Sequence, residues 1–385
     1  MELKRHVLWL CSWYPNRVAP FDGDFVQRHA RAVSLYNQVH VIKITPDPEA
    51  KKVEDVSTTG DAYPNLTEQC IYYPKKQGLG GKIQSYFWWN SLFKKAIRAY
   101  IAQHGKPDLV HVHIPFKAGL MAQWIKRKYG IPFVVTEHWD GYNRVVENHY
   151  LQRPSWFRRI ITTTFHRAAG IHSVSDYLGK EINQLGRPVS YVVINNAVDT
   201  RFFYREERQH AGPFQLLHIS GGAAKKNVEG IIRAFLNLPQ QEFSLCILGL
   251  PPAMNERYQK QYPGIRFPGI QSNETVAAAL RATDLLVIFS NAENSPCVIG
   301  EAFCCGVPVV ATSVGGIGEL VRDENGVLVL AGDEAGLTDA IRRIRAHYHR
   351  YDPEKIARKA IDWFGYEPIG KKLDDWYRDV IRNTR

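Results

Sequence analysis

The chain has 385 residues, of which 45% are hydrophobic and 23% charged, and its net charge is +11. This balance is typical of a globular protein, and the length favours two domains over one. No run reaches the roughly 18 apolar residues that a membrane-spanning helix needs. The start, MELKRHVLWLCSWYP, has a basic flank and a short apolar run but no small-residue cleavage site. It predicts a first strand rather than a signal peptide.

Cysteines and charges narrow the class of protein further. The six cysteines form no C-x-x-C pair, which indicates a reducing compartment and argues against a zinc site. Residues 1–200 contain 26 Lys and Arg against 16 Asp and Glu, whereas the remainder contains 23 against 22. An electropositive first half fits an anionic acceptor, such as a lipid phosphate, or an anionic membrane face. A basic surface without a specific partner would show the same excess of Lys and Arg. No nucleic-acid-binding module is present.

The first half opens with alternating strands and helices. Strands are predicted at 7–13 and 38–45, a helix at 26–36, and short strands with a flexible loop at 46–81. The first strand–turn–helix places Gly23 where the backbone can approach a ligand closely. It is not a G-x-G-x-x-G fingerprint, so we expect no dinucleotide cofactor. Residues 82–104 predict an aromatic-rich amphipathic helix, which either lies on a membrane surface or, as we favour, packs on the core with a basic edge.

Two histidines follow predicted strands of this half. The strand at 107–113 ends at His113, and the strand at 132–136 leads to His138 after a helix at 117–129. Catalytic side chains gather at the carboxyl ends of strands in doubly wound sheets, which makes both histidines candidates. From the residues alone, each is more often a structural histidine. A helix at 151–168, a strand at 170–175, a helix capped by Ser175 and a strand at 189–195 complete this half.

The second half begins with a predicted strand at 214–220 and the loop GGAAKKN at 221–227, ahead of a helix. Glycines and a lysine before a helix make a loop that can approach and neutralise a diphosphate, with Lys226 as the candidate. The order is not that of a Walker loop. Strands at 243–248 and 265–270 and a helix at 273–281 follow.

The stretch from 284 to 321 reads as strand, polar loop, short helix, strand, glycine turn and helix. Ser295 is predicted as the cap of the first helix and Pro296 as its first residue. Helices at 334–347, 353–361 and 369–381 are expected after a strand that begins at Val327.

Two carboxylates frame the short helix, Glu293 before it and Glu301 within it. The helix N-terminus suits a phosphate, and the carboxylates suit the hydroxyl groups of a sugar and a ribose. Two surface glutamates beside a helix explain the spacing equally well.

Glu293 and Glu301, with seven residues between them and followed by GVPVVAT and GGIGELV, resemble the donor-site signature of one enzyme family. This family is the retaining nucleotide-sugar glycosyltransferases of group 1, family 4, and the resemblance is to its bacterial members. It covers nearly the whole chain and is most specific in the second half. It implies that Glu293 lies by the donor sugar, Glu301 holds the ribose, Lys226 binds the diphosphate and His138 lies near the reacting carbon. The implied donor contacts also include Gly23, Asn294, Ser295 and Val298.

Three segments depart from the family's pattern. Gly221 stands where an arginine is usual, so the diphosphate has one fewer fixed charge unless Lys225 compensates. The first loop reads Gly23-Asp24-Phe25 rather than a double glycine. The turn Asn196-Ala197-Val198-Asp199 has alanine where glycine is usual.

The resemblance implies the GT-B fold, with two Rossmann-like, doubly wound α/β domains at 1–200 and 201–365 that face a cleft. A C-terminal helix at 366–385 is expected to cross back to the first domain. The implied activity is retaining transfer of a sugar from a nucleotide-sugar donor to a glycan or lipid-linked acceptor, in surface polysaccharide synthesis. We expect no metal or other cofactor, and a cytoplasmic location at the inner face of the membrane. The alternatives are a nucleotide-sugar epimerase of the same fold and a non-catalytic transferase subunit, which the altered loops favour.

Overall fold

The computed structural model describes residues 4–185, 188–207 and 212–384. It contains two α/β domains, each built on one mainly parallel sheet, which confirms the predicted fold class. The predicted domain boundary, near 199–212, includes residues 208–211, which lie outside the described residues, as do the first three residues of the chain and Arg385. Within the described ranges, no helix combines the length and the apolar character needed to cross a membrane.

The first sheet has eight strands in the order β3-β4-β2-β1-β5-β6-β7-β8. The strands are β1 (His6–Cys11), β2 (Gln38–Asp47), β3 (Glu54–Thr58), β4 (Leu66–Pro74), β5 (Leu109–His113), β6 (Phe133–Glu137), β7 (Gly170–Ser173) and β8 (Val192–Val193). Only the β3–β4 pair is antiparallel. Central strands such as β1 are almost wholly buried, because helices cover both faces of a parallel sheet. These helices are α1 (Asp24–Ser34), α2 (Gly78–His104), α3 (Ala118–Tyr129), α4 (Ser155–Arg167) and α5 (Asp176–Asn183).

The second sheet has six parallel strands in the order β11-β10-β9-β12-β13-β14. The strands are β9 (Phe214–Ile219), β10 (Phe243–Leu248), β11 (Arg266–Gly269), β12 (Leu285–Ile288), β13 (Val309–Thr312) and β14 (Gly326–Val329). Its helices are α6 (Val228–Leu236), α7 (Pro252–Gln261), α8 (Asn273–Arg281), α9 (Cys297–Cys304), α10 (Ile317–Leu320), α11 (Glu334–Ala346) and α12 (Pro353–Phe364). The strand order reverses direction beside β9 and β12, and this is where doubly wound sheets bind ligands.

The last helix, α13 (Tyr366–Thr384), packs on the first domain. Its residues Ile369, Leu373 and Tyr377 are fully buried, in one apolar cluster with Val7 and Trp9 of β1. The two connections between the domains lie side by side, since the Val198 amide donates to the carbonyl of Phe364 at 2.8 Å.

A buried chain of hydrogen bonds ties α13 to the middle of the first sheet. It runs from the Tyr377 hydroxyl to His111 Nδ1 (2.5 Å), from His111 Nε2 to Thr136 Oγ1 (2.6 Å), and from Thr136 Oγ1 to His172 Nδ1 (2.8 Å). It ends where His172 Nε2 donates to the carbonyl of Ile194 at 2.7 Å. A carbonyl oxygen can only accept, so His172 Nε2 must be the donor of this last bond. If both histidine rings are neutral, each has one donor and one acceptor nitrogen, and the direction of every other bond follows, with the Tyr377 hydroxyl as the first donor.

Several elements differ from the sequence predictions. The polar helix α7 was not predicted, because Tyr258 is the only residue of its ten that is buried. The strand predicted at 189–195 forms only Val192–Val193. The carbonyl of Ile194 accepts from His172 and that of Asn195 from His29 at 3.1 Å, so both are taken by side chains rather than by a neighbouring strand.

Candidate active site

A cavity of about 360 Å³ lies between the carboxyl ends of the two sheets. Its lining from the first domain is Trp13, Phe25, His138, Asp140, Val174 and Asn196. Its lining from the second domain is Lys225, Lys226 and the continuous run from Glu293 to Cys297. Of the residues predicted from the sequence, the fold therefore brings His138, Lys226, Glu293, Asn294 and Ser295 together.

Two lysines and one glutamate set the charge of the cavity. Lys226 Nζ contacts Glu293 Oε1 at 2.5 Å, and Ser290 Oγ donates to the same oxygen at 2.8 Å. Lys225 forms an ion pair with Asp140 of the first domain. The pKa of Lys225 is lowered by desolvation and by the charge of Lys226. Two ammonium groups therefore lie at this cavity, although Gly221 supplies no side chain.

His138 brings a neutral ring to the cavity. The residue is 8% exposed, and neither ring nitrogen has a hydrogen-bond partner among the described residues. Burial holds the pKa of His138 well below its usual range, and the nearby His29 and His172 lower it further. A neutral ring has one donor and one acceptor, which here lack partners within the described part of the protein.

His113, the weaker candidate, does not line the cavity. It stacks on Trp9 with ring centroids 4.1 Å apart, and its ring lies 5.8 Å from that of His138. Its position is that of a buried residue behind the cavity wall.

Glu137 holds the loop that carries His138. Its Oε1 accepts the backbone N–H groups of His138 (2.8 Å) and Trp139 (2.9 Å), and the Tyr142 hydroxyl donates to Oε2. Burial raises the pKa of Glu137 to about 7, against the lowering effect of these donors. This carboxyl group fixes the position of the histidine rather than lining the cavity.

Glu301 lies behind the cavity and is buried against the first domain. Arg28 of α1 contacts Glu301 Oε1 at 2.5 Å, and both side chains are less than a tenth exposed. Burial raises the pKa of Glu301, and Arg28 acts in the opposite direction. Arg28 also pairs with Asp24 at 2.9 Å, so α1 contributes an arginine to the face of the cleft.

The remaining predicted residues lie outside the cavity lining. Gly23 precedes α1 with φ 69°, and a Cβ there would lie 2.7 Å from the backbone of Trp13. Val298 packs against the apolar core of the second domain. Their donor contacts stay predictions.

The predicted start of the short helix was wrong by one residue. Helix α9 begins at Cys297, Pro296 is its extended cap residue, and no side chain caps it. Ser295 instead gives its carbonyl to the Asn196 side chain, which donates at 2.8 Å from the first domain. This contact joins the two domains across the cleft at Ser295.

Further polar contacts close the cleft. The Asn294 side chain donates to the carbonyl of His138 at 3.0 Å. Glu319 of the second domain accepts the N–H groups of Asp176 (2.9 Å) and Tyr177 (2.8 Å), so it caps α5 of the first domain together with Ser175, the predicted cap. The two domains are therefore closed on each other around the cavity.

Sequence patterns did not identify Arg28, Trp13 or Phe25 as cleft residues. Arg28 lies in an ordinary amphipathic helix, and its partner is 273 positions away. The two aromatics lie in the loop around Gly23, where only proximity to that glycine indicated the cleft. No group of three or more His, Cys, Asp or Glu side chains within the described ranges is arranged to hold a metal ion.

Two family models match the chain, one on each domain. "Glycosyltransferase Family 4" matches residues 28–202, and "Glycosyl transferases group 1" matches residues 213–347. The matched segments together span most of the chain and include the second sheet and every strand of the first sheet except β1. The chain therefore belongs to the group 1, family 4 glycosyltransferases.

Relatives and solved structures agree with this assignment. N-acetyl-alpha-D-glucosaminyl L-malate synthase of Bacillus anthracis is 26% identical over 307 residues, 74% of this chain and 78% of that protein. The putative teichuronic acid biosynthesis glycosyltransferase TuaC of Bacillus subtilis is 24% identical, over 96% of this chain and 94% of that protein. Sucrose-phosphate synthase from Thermosynechococcus elongatus has a TM-score of 0.77 at 20% identity, covering 98% of this chain and 100% of that one. Anabaena HepE in complex with UDP-glucose has a TM-score of 0.71 at 18% identity, covering 97% and 100%.

Proposed function

We propose that this glycosyltransferase transfers a sugar from a nucleotide-sugar donor to a glycan or lipid-linked acceptor, with retention of the anomeric configuration. In this proposal the donor binds in the cleft cavity, mainly on the second domain, and no metal takes part. The enzyme acts in surface polysaccharide synthesis, in the cytoplasm at the inner face of the membrane.

The observation that carries the proposal is the chemistry of the cavity wall. Lys225, Lys226 and the N-terminus of α9 supply positive charge for a diphosphate. Glu293 and the neutral ring of His138 supply acceptors and a donor for sugar hydroxyl groups.

The ribose is assigned to Glu301, as the resemblance implies. Arg28 contacts one carboxylate oxygen, Oε1, and leaves Oε2 for the hydroxyl groups of a ribose. In this role Arg28 is a positioning residue, because it fixes the carboxylate without reaching the reacting atoms.

The transfer step breaks the bond between the anomeric carbon and the diphosphate oxygen. The acceptor hydroxyl attacks the same face of the sugar, its oxygen bonds to the anomeric carbon, and its proton passes to the departing diphosphate. Lys225 and Lys226 stabilise the charge that develops on the diphosphate. The contacts that close the cleft exclude water, which would otherwise hydrolyse the donor.

The names of similar proteins support three parts of this proposal, namely the donor, the surface polysaccharide and the lipid-linked acceptor. HepE was crystallised with UDP-glucose, which supports a nucleotide-sugar donor. The Bacillus subtilis relative is named for teichuronic acid biosynthesis, which supports a surface polysaccharide. The alpha-monoglucosyldiacylglycerol synthase of Streptococcus pneumoniae, which is 24% identical over 75% of this chain, supports a lipid-linked acceptor.

The test is a thermal-shift panel of UDP-, GDP- and ADP-sugars, with and without EDTA, on the wild type, Lys226→Gln and Lys260→Gln. One nucleotide class should stabilise the wild type regardless of EDTA. Lys226→Gln should bind it about tenfold more weakly or worse, because a charged contact to the diphosphate is lost. Lys260→Gln removes the same charge from an exposed position on α7 and should bind like the wild type.

The outcomes separate the alternatives. A panel without any shift contradicts the donor site. An inverted product, identified by the NMR coupling of its anomeric proton, contradicts retention. Isomerisation of the nucleotide sugar without an acceptor supports an epimerase, and binding without turnover of any donor supports a non-catalytic subunit.

A further inference from the structure

A second and larger cavity, of about 870 Å³, lies wholly in the first domain. We call it the lysine pocket, after Lys43, Lys75, Lys76 and Lys117 in its lining. No aspartate or glutamate is among its described lining residues, which also include five aromatic side chains, Trp13, Tyr73, Tyr86, Trp89 and Phe116. A cavity with four cations and no anion in its lining is built for a negatively charged ligand.

The four lysines differ in how fully their charges are paired. Lys43 is buried, donates to the carbonyl of Ser12 at 2.5 Å and lies 3.3 Å from Asp22. Lys75, Lys76 and Lys117 have no ion-pair partner among the described residues. The pKa of Lys117 is lowered by desolvation and by the charge of Lys43, as expected for ammonium groups gathered at one cavity.

The backbone is held in an unfavourable conformation to bring Phe116 and Lys117 to this pocket. Ile114 has φ 65°, and Lys117 has φ 63° with ψ −62°, whereas residues other than glycine rarely have a positive φ. Ser12 Oγ lies within hydrogen-bond distance of the carbonyls of Ile114 (3.0 Å) and Phe116 (2.6 Å) and holds this turn. Such strain is concentrated at functional sites.

Trp13 lines both the lysine pocket and the donor cavity, so the two cavities adjoin at this residue. On the donor side, Phe25 lies 6.3 Å from Trp13 and 4.6 Å from His138 between ring centroids. A ligand in the lysine pocket therefore lies one side chain away from the proposed site of sugar transfer.

The rim of the lysine pocket is apolar and exposed. Tyr86, on α2, lines the pocket and is 45% exposed, and its neighbour Phe87 is 65% exposed. Trp156 of α4 is 58% exposed, and its ring centroid lies 6.1 Å from that of Phe116, which lines the pocket. Aromatic side chains at such a rim suit a sugar ring or the first carbons of a lipid chain.

We infer that the lysine pocket binds a phosphate or diphosphate group of the acceptor and presents the acceptor hydroxyl to the donor cavity past Trp13. This inference rests on the proposed function and adds the chemical class of the acceptor. The phosphate is either soluble or the headgroup of a lipid, whose chain then leaves over the aromatic rim. Lysine ammonium groups act as point charges for phosphate, and several of them match its multiple negative charges.

The first experiment measures the thermal shift with UDP and, separately, the further shift that inorganic pyrophosphate causes at saturating UDP, which occupies the donor cavity. Lys75→Gln/Lys76→Gln should lose the pyrophosphate shift, with affinity at least about tenfold lower, and keep the UDP shift. Lys226→Gln should lose the UDP shift and keep that of pyrophosphate. The control, Lys51→Gln/Lys52→Gln, removes two exposed lysines of the same domain that do not line the pocket and should keep both.

A second variant and a membrane assay complete the test. Lys117→Gln removes the ammonium group but keeps a side chain of similar length at this positive φ, and it should also weaken pyrophosphate binding. Co-sedimentation with phosphatidylcholine vesicles is compared with and without phosphatidic acid, whose headgroup is a phosphate monoester. Binding that needs phosphatidic acid and is lost in Lys75→Gln/Lys76→Gln identifies a lipid-borne phosphate. Pyrophosphate binding without vesicle binding identifies a soluble one.

Two results would overturn the inference. One is that the wild type binds neither pyrophosphate nor the vesicles, or that Lys75→Gln/Lys76→Gln binds them as well as the control Lys51→Gln/Lys52→Gln does. The other is a pyrophosphate shift lost only in Lys226→Gln, which would place the anion in the donor cavity. If UDP does not bind the wild type, the proposed donor site is contradicted. The pyrophosphate and vesicle measurements still test the lysine pocket in that case.

Discussion

Two glycines press the start of α10 against the loop that carries Glu293. A Cβ on Gly315 would lie 1.6 Å from the carbonyl oxygen of Glu293, and one on Gly316 would lie 2.1 Å from that of Asn294. Gly315 also has φ 55°, which L-residues with side chains rarely adopt. The glycine pair therefore determines how closely the loop of Glu293 can approach the rest of the second domain.

Gly315→Ala should push this loop outward and move Glu293 away from Lys226. We expect a loss of about 1–3 kcal/mol in the free energy of unfolding, from overpacking and backbone strain, together with weaker donor binding. Urea denaturation and the UDP thermal shift measure the two effects. Gly318→Ala is the matched control, because a Cβ there meets nothing within 4 Å, and it should be neutral or slightly stabilising. Unchanged donor binding in Gly315→Ala would show that the loop does not depend on this contact.

At the scale of an element, α13 is attached to the first sheet by a polar as well as an apolar contact. The buried chain from Tyr377 through His111, Thr136 and His172 ends at Ile194, next to the loop that carries Asn196 of the donor cavity. The side chains of His111, Thr136 and His172 thereby connect α13 to the backbone that follows β8 and leads into the cleft.

Tyr377→Phe should remove the first donor of this chain and leave His111 Nδ1 as a buried acceptor without a partner. The expected cost is about 1–3 kcal/mol in the free energy of unfolding, measured by urea denaturation. Tyr36→Phe is the control, since the Tyr36 hydroxyl donates to Glu367 of the same helix at 3.2 Å in an exposed position. It should cost about 0.5 kcal/mol or less. Equal costs for the two variants would contradict a special role for the buried chain.

Most elements could be predicted because their patterns are local. Helix α8 was predicted with both of its ends, since Ser272 caps it and its apolar residues follow a helical period. The pairing of Arg28 with Glu301 could not be predicted, because it exists only when the two domains close. The lysine pocket could not be predicted either, because Lys43, Lys75 and Lys117 come from separate segments of the sequence that only the folded sheet brings together.

At the scale of the whole molecule, buried histidines make stability depend on pH. Burial lowers the pKa of His29 to about 4 and that of His172 to about 3, and it holds those of His111, His113 and His138 well below their usual range. Between these values and pH 6.5 the unfolded chain binds protons that the native protein does not, so stability falls as pH falls. For His29 alone, the shift corresponds to about 3 kcal/mol.

Glu137 acts with the opposite sign. Its pKa of about 7 lies above the ordinary value of 4.5, so the native state binds the extra proton between these pH values and stability from this group falls as pH rises. The five histidines outweigh the two carboxyl groups, Glu137 and Glu301, whose pKa values are raised by burial. We expect urea midpoints to decrease steeply from about pH 6.5 towards about pH 4, and more steeply in Glu137→Gln, which removes its opposing contribution. A midpoint that is constant or rises over this range would contradict neutral burial of the histidines.

The position of α13 also has a consequence for the order of folding during synthesis. Ile369, Leu373 and Tyr377 cover Val7 and Trp9, so the first domain is assembled from both ends of the chain. The strands of the second domain are all synthesised before this helix, and that domain can pack while the first still exposes an apolar face. Nascent chains usually complete their N-terminal domain first. Here the first domain to be synthesised is completed only after α13 has been made, and it needs protection from aggregation until then.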